Sequence, residues 1–196
     1  MLRRALLALF TLLLFAAPAF AQGTTGCGIA VYADADGSGQ FVSAGELVLV
    51  EMYVVLFVED AVKAVSYSID IQTDFMEYFW ISDAYGPEYT GINIASPGGY
   101  NVGLGVCVPG FLQSPVLVAR HTIMTLNAYK KDSAAKSPYE IARVYVAPNV
   151  DENPDFPVYA SCDNRIEPCD PGMPLSIMSG GVPVASESIG RIKALY

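Results

Sequence analysis

The segment Asp34-Ala35-Asp36-Gly37-Ser38-Gly39-Gln40-Phe41 is where residue type and spacing come closest to a chemistry. Calcium takes six to eight oxygen ligands, and a tightly turned loop can aim oxygens from alternate positions at one point. Asp34, Asp36 and Ser38 supply side-chain oxygens at every second residue, and Gly39 supplies the turn. The Gln40 carbonyl would follow, and Glu46 offers a closing carboxylate. A twelve-position calcium loop places that carboxylate at Gly45, so Glu46 comes one residue late. Residues 27–33, just before the loop, have strand rather than helix character. The donor set Asp34, Asp36, Ser38, Gln40 and Glu46 therefore points to a weak Ca²⁺ site of the extracellular kind, with a dissociation constant of about 10⁻⁴–10⁻³ M. The same Asp, Gly and Ser residues also serve a plain connection between two strands.

A second group is aromatic: Phe75, Tyr78, Phe79, Trp80, Tyr85 and Tyr89. Flat rings on a sheet can stack on sugars or anchor a protein partner, and Tyr78, Trp80, Tyr85 and Tyr89 are the candidate ligand-binding residues. The same rings can also close the end of a core. Asp70, Asp74, Glu77 and Asp83 flank them, so a secreted glycan hydrolase is the alternative reading. It requires two of these acids about 5–10 Å apart in a cleft. His121 is the only histidine and lies in an apolar run beside Arg120. Any Ser-His-Asp or Cys-His chemistry would have to use it, but there is no Gly-x-Ser-x-Gly elbow, and a histidine on a strand face is the plainer account. No phosphate-binding glycine loop appears. Asp151, Glu152 and Asp155 read as a solvated acidic loop. No catalytic residue is assigned, and no cofactor beyond the Ca²⁺ candidate.

The elements that hold these residues begin after an export signal. Arg3 and Arg4 precede the apolar run Leu6–Phe15, and Ala19-Phe20-Ala21 has the small-x-small form of a cleavage site. Residues 1–21 are thus expected to be a signal peptide cleaved before Gln22, giving a secreted or periplasmic protein. Of the 196 residues, 175 would remain, with nine basic against twenty acidic residues and a net charge of −11. That balance argues against nucleic acid and anionic membrane surfaces as partners. No further segment is apolar enough for a membrane span. A protein or a glycan is the expected partner.

Cys27, Cys107, Cys162 and Cys169 all follow the cleavage site, so two disulfides are expected. Four cysteines allow three pairings. The short spacing of Cys162 and Cys169 favours a local bridge, leaving Cys27 with Cys107.

The remaining pattern is β. Val65, Tyr67, Ile69 and Ile71 alternate with polar residues, as do Tyr100, Val102, Leu104 and Val106, and Ala142, Val144 and Val146 form a third such run. Residues 47–58 and 116–126 are apolar on both faces, which suggests central strands, the first with a bulge near Glu51. Residues 74–80 could form a helical turn between sheets, and residues 187–195 a short C-terminal helix, with Ile189, Ile192 and Leu195 on one side. Gly, Pro and Asp clusters punctuate the runs. The expected fold is a single antiparallel β-sandwich of jelly-roll or immunoglobulin-like type. Residues 22–147 would form its core. Residues 148–196 would form a Pro-rich, disulfide-pinned extension packed on the same domain, largely loop with one edge strand over 156–161.

Across residues 27–147 this order of runs resembles the cohesin-like and related uncharacterised secreted bacterial β-sandwich proteins. The features that carry the resemblance are the strand Val65–Ile71, the aromatic crossover after it, the glycine-rich strand Gly99–Cys107 and the strand entered through Pro115. Gly99-Tyr100-Asn101-Val102-Gly103-Leu104 and Gly190-Arg191-Ile192-Lys193-Ala194-Leu195-Tyr196 look like phrases of the same proteins. The resemblance implies the sandwich fold. Cohesins bind dockerin modules through a sheet face, but no residue here matches a dockerin-contact motif, so only the fold carries over.

Overall fold

A computed structural model of the chain describes residues 26–73, 76–110, 115–128 and 139–179. The expected signal peptide, Asp74 and Phe75, the lysine-rich stretch 130–138 and the C-terminal helix over 187–195 fall outside the described residues. In chain order the strands are β1 (Cys27–Tyr32), β2 (Phe41–Ala44), β3 (Val48–Val58), β4 (Val62–Gln72), β5 (Met76–Tyr85), β6 (Ile92–Ser96), β7 (Gly99–Val108), β8 (Val116–Ala128), β9 (Tyr139–Ala147), β10 (Val158–Ser161), β11 (Ile166–Pro168), β12 (Asp170–Pro171) and β13 (Leu175–Ser179).

Two sheets face one another. The first runs β12-β1-β3-β8-β5. The second runs β11-β10-β4-β9-β13-β2, with β7 joined to β4 and β6 to β7. Period-two alternation is what lets each sheet keep one face dry. On β3, Val50, Met52, Val54 and Leu56 point inward and are fully buried. On β4, Val62, Val65 and Tyr67 answer them from the other sheet, joined by Leu104, Val118, Ile123, Val144 and Ile177 in one continuous core. Each such side chain contributes about 1.5–3 kcal/mol by leaving water. The β-sandwich expected from the alternation is the fold observed.

Several local expectations change. Residues 76–80 are not a helical turn but the start of β5, ten residues long. Met76, Tyr78 and Trp80 lie on the core side opposite Ala128, Thr125 and Ile123, while Phe79 pairs outward with Met124. Aromatic and β-branched residues favour this half-buried extended state. The irregularity in β3 lies between Val54 and Val55 in its pairing with β8, not at Glu51. The proline-rich region is more than a loop with one edge strand. β10 lies between β4 and β11, and β13 runs between β9 and β2. Pro157 and Pro174 sit directly before β10 and β13, and Pro168 and Pro171 lie in the short outer strands β11 and β12.

The disulfide pairing also departs from the local bridge. Cys27 joins Cys169, and Cys107 joins Cys162. Strand pairing, not spacing along the chain, decides this. β12 runs parallel to β1, with Gly28 opposite Asp170, and so carries Cys169 to Cys27. Val62 of β4 has Val108 on one edge and Ser161 on the other, which brings their chain neighbours Cys107 and Cys162 together.

Candidate functional site

β5 is the last strand of the first sheet, and both of its faces are functional candidates. Its inward face meets a polar knot inside the sandwich. His121 on β8 is fully buried. Its Nδ1 lies 2.7 Å from Asp83 Oδ1, and its Nε2 lies 2.9 Å from the Tyr67 hydroxyl. The carboxylate accepts the Nδ1 proton, so Nε2 is left to accept the tyrosine hydroxyl and all three groups are satisfied. Asp83 also accepts Trp80 Nε1–H at 2.6 Å and the Tyr85 hydroxyl at 3.0 Å. Asn93 donates to Tyr85 and accepts the Asn101 amide. Tyr100 lies 4.8 Å from the His121 ring and stacks on Tyr67 at 5.3 Å.

Electrostatics follow from these contacts. Burial pushes the Asp83 carboxyl up, but the bonds from His121, Trp80 and Tyr85 outweigh it and hold the carboxyl below the usual range. Burial, then the Asp83 charge, pushes Tyr85 up to about 12. Burial, then the neighbouring Tyr100, Tyr85 and Asp83, pushes Tyr67 far above the ordinary tyrosine value. Tyr67 is therefore a poor nucleophile, and it has no exposed surface for a substrate to reach. The Tyr67–His121–Asp83 chain is a positioning device that holds the edge strand to the core.

The outward face of the same sheet carries the exposed features. Across β3, β8 and β5, Leu49, Met124 and Phe79 lie side by side. Leu49 is 61 % and Phe79 58 % exposed, and the bulge residue Ile81 is 49 % exposed. Leu47, in the turn before β3, is exposed as well. The next row along is polar: Glu51, Thr122 and Ser82. Beyond it Arg120 bonds Glu51 at 3.2 Å and lies 4.6 Å over the Tyr89 ring.

The sequence candidates are thus split. Tyr78, Trp80 and Tyr85 lie on the inner side of β5, with Tyr78 and Trp80 about one-third exposed at the open edge. Tyr89 lies on the outer side beneath Arg120. Of the acids of the hydrolase reading, Asp74 lies outside the described residues, and the other three are spread over two sheets. Glu77 and Asp83 are six residues apart on β5, about 20 Å at strand rise. Asp70 is exposed on β4, in the other sheet, with its neighbours Ile69 and Ile71 turned to the core. Tyr67, Tyr100 and Asn93 were missed because their partners are distant in sequence. The available signal was phase: His121 shares the inward parity of Ile123 and Thr125.

The Asp34 loop is drawn together by its own chain. Asp34 accepts both the Ser38 amide, at 2.8 Å, and the Ser38 hydroxyl, at 3.0 Å, while Asp36 also accepts the Ser38 amide. The Ala33 amide donates to the Gly39 carbonyl, and the Gln40 carbonyl accepts the Ser176 amide of β13. Burial alone would raise the Asp34 carboxyl, but the bonds from Gly39, Asp36 and Ser38 lower it. Glu46 lies in the exposed turn after β2. Among the described residues no group of three or more His, Cys, Asp or Glu side chains is placed to hold a metal. In this arrangement Asp34 and Asp36 bond Ser38 across the turn, which is the geometry of a self-capped connection between strands.

No family model matches the chain, and no curated protein matches it either. Several solved structures do. A non-cellulosomal cohesin from Archaeoglobus fulgidus gives a TM-score of 0.49 at 8 % identity, over 82 % of this chain and 97 % of its own. The third ScaB cohesin of R. flavefaciens, solved with a group 1 dockerin, gives 0.47 at 10 % identity, over 81 % and 98 %. The sixth cohesin of the Acetivibrio cellulolyticus scaffoldin B, solved with a Cel5 dockerin, gives 0.41 at 11 % identity, over 80 % and 97 %. All three TM-scores lie below 0.5, and the partner must be argued from this chain's own surface. Among the described residues no helix is long and apolar enough to cross a membrane.

Proposed function

We propose that the protein is an exported, non-catalytic module that binds a protein partner through the outer face of its β12-β1-β3-β8-β5 sheet. The observation that carries this reading is the apolar ridge Leu49–Met124–Phe79, extended by Leu47 and Ile81. Contiguous exposed apolar side chains next to a polar row are typical of protein interaction surfaces. The polar knot beneath fixes β5, so the ridge is rigid before a partner arrives and loses little entropy on binding. Two disulfides suit an oxidising compartment and support export.

The test is a double substitution, Leu49→Glu with Phe79→Glu, in the purified protein. Exported proteins of the source organism are passed over immobilised wild type and variant. A partner retained by the wild type and lost by an equally stable variant supports the reading. Equal retention by both proteins overturns it. A glycan array run in parallel addresses Tyr78 and Trp80: glycan binding lost in Trp80→Ala but kept in the double variant would favour a carbohydrate ligand at the open edge of β5.

A further inference from the structure

The two disulfides occupy opposite environments. Cys27 and Cys169 are 4 % and 0 % exposed and belong to the main core. Cys107 is exposed and Cys162 half-buried. The chain around Cys107 is also irregular. Pairing of β7 with β4 jumps from Gly103 opposite Ala64 to Val108 opposite Val62. Four residues of β7 thus stand against one of β4 between the two pairs: Leu104 turns into the core, and Gly105, Val106 and Cys107 bow out to solvent. Gly105 sits there at φ +77°, a conformation that favours glycine, and Val106 is 63 % exposed. On the far edge of β4 the register with β10 shifts between Ala160 and Ser161, just before Cys162. The bridge thus straddles the start of β4 and ties two irregular, solvent-facing segments together.

We propose that Cys107–Cys162 is a thiol-exchange site for an external dithiol, and that Cys27–Cys169 is inert to the same reagent while the protein stays folded. Exchange requires in-line approach of a thiolate to a bridge sulfur, so access decides between two otherwise equivalent bonds. The incoming thiolate attacks Cys107 Sγ, and the Cys162 thiolate leaves and takes up a proton. The second thiol of the reagent then attacks the mixed disulfide, expelling the Cys107 thiolate, which is protonated in turn. The protein gains two thiols, and the reagent leaves as its own disulfide. The bow in β7 and the β10–β11 hairpin then lose their covalent tie. The hairpin stays on β4 through its ladder, and Tyr159 and Arg165 both bond Asp60 in the turn before that strand. The core is untouched, so opening is local.

The experiment treats the folded wild-type protein with dithiothreitol in native buffer, alkylates at intervals, then unfolds, reduces and alkylates with an isotopically distinct reagent. Peptide mass spectrometry reads each cysteine separately. Cys107 and Cys162 should become labelled together, about tenfold or more faster than Cys27 and Cys169. Amide exchange should rise around residues 104–108 and 158–168 and stay constant in β3 and β8. Labelling of all four cysteines in step overturns the proposal. So does prior labelling of Cys27 and Cys169, or resistance of both bridges until global unfolding.

Discussion

The outer face of the β12-β1-β3-β8-β5 sheet has two apolar ends, and the molecule treats them oppositely. At one end Ala30, Tyr32, Val55 and Phe57 form a small cluster that is buried although it lies outside the sandwich. The Asp34 loop folds over it. Gly37 sits so close to Phe57 that a Cβ there would lie 2.6 Å from the ring, and its φ of +72° suits glycine. At the other end Leu49, Phe79 and Ile81 have no such cover among the described residues. Strands β3 and β8 run through both ends, so the difference is not one of strand pattern. The acids of the loop act by capping a turn that shelters Phe57, whereas the other end leaves its apolar surface bare among the described residues.

The largest expected effect lies under the bare end, at the knot that holds it. His121→Ala should cost about 4 kcal/mol, because it leaves the Tyr67 hydroxyl and the Asp83 carboxylate without their buried partner. Urea unfolding measures this, and a loss below about 1 kcal/mol would mean the knot does not anchor β5. Next comes the direct comparison of ends. Phe57→Ala should cost about 3 kcal/mol and Phe79→Ala less than about 0.5 kcal/mol. Equal losses would show that the ridge is covered in solution, and the contrast between the ends would collapse.

Acid should act at both ends. Asp34 and Asp83 are each held below the ordinary carboxylate value in the folded protein. A depressed folded value contributes stability above the unfolded value of about 4, and that contribution is lost as pH falls through the folded value. Melting temperature should therefore fall on acidification below about pH 4, and less steeply in Asp34→Asn. A variant profile parallel to wild type would show that the turn bonds do not matter. At the alkaline side the sign reverses. Burial, then the Asp34 charge, pushes Tyr32 up to about 12, so its stabilisation is complete below about pH 10 and fades as pH approaches 12.

The sandwich was legible because Val65–Ile71 alternates cleanly, with one side of the strand dry and the other wet. β5 was not, for a physical reason. An edge strand exposes residues on both faces, and the extra residue Ile81 breaks the period of two, so Tyr78–Ile81 reads as unpatterned. The bridges were opaque because they follow strand neighbours 142 and 55 residues apart in the chain. His121 was legible as a strand histidine. Its partners were not, since Asp83 and Tyr67 reach it only after two sheets close. The Asp34 motif is the opposite case: its spacing is visible in the sequence, and it suits a self-capped turn as well as a cation.

The smallest effect separates those two uses of the loop. A ligand held only by the folded state raises the melting temperature by mass action, in proportion to the logarithm of its concentration over its dissociation constant. For a site of about 10⁻³ M, 10 mM Ca²⁺ would stabilise by about 1.4 kcal/mol, a shift of several degrees that calorimetry reads easily. With the loop oxygens already bonded to Ser38, Ala33 and Ser176, melts in Ca²⁺ and in chelator should coincide within about 1 °C. A clear Ca²⁺-dependent rise, absent in Asp34→Ala, would show that a cation displaces the Ser38 bonds. The cover over Phe57 would then depend on metal while the bare ridge would not, making the contrast between the ends chemical as well as steric.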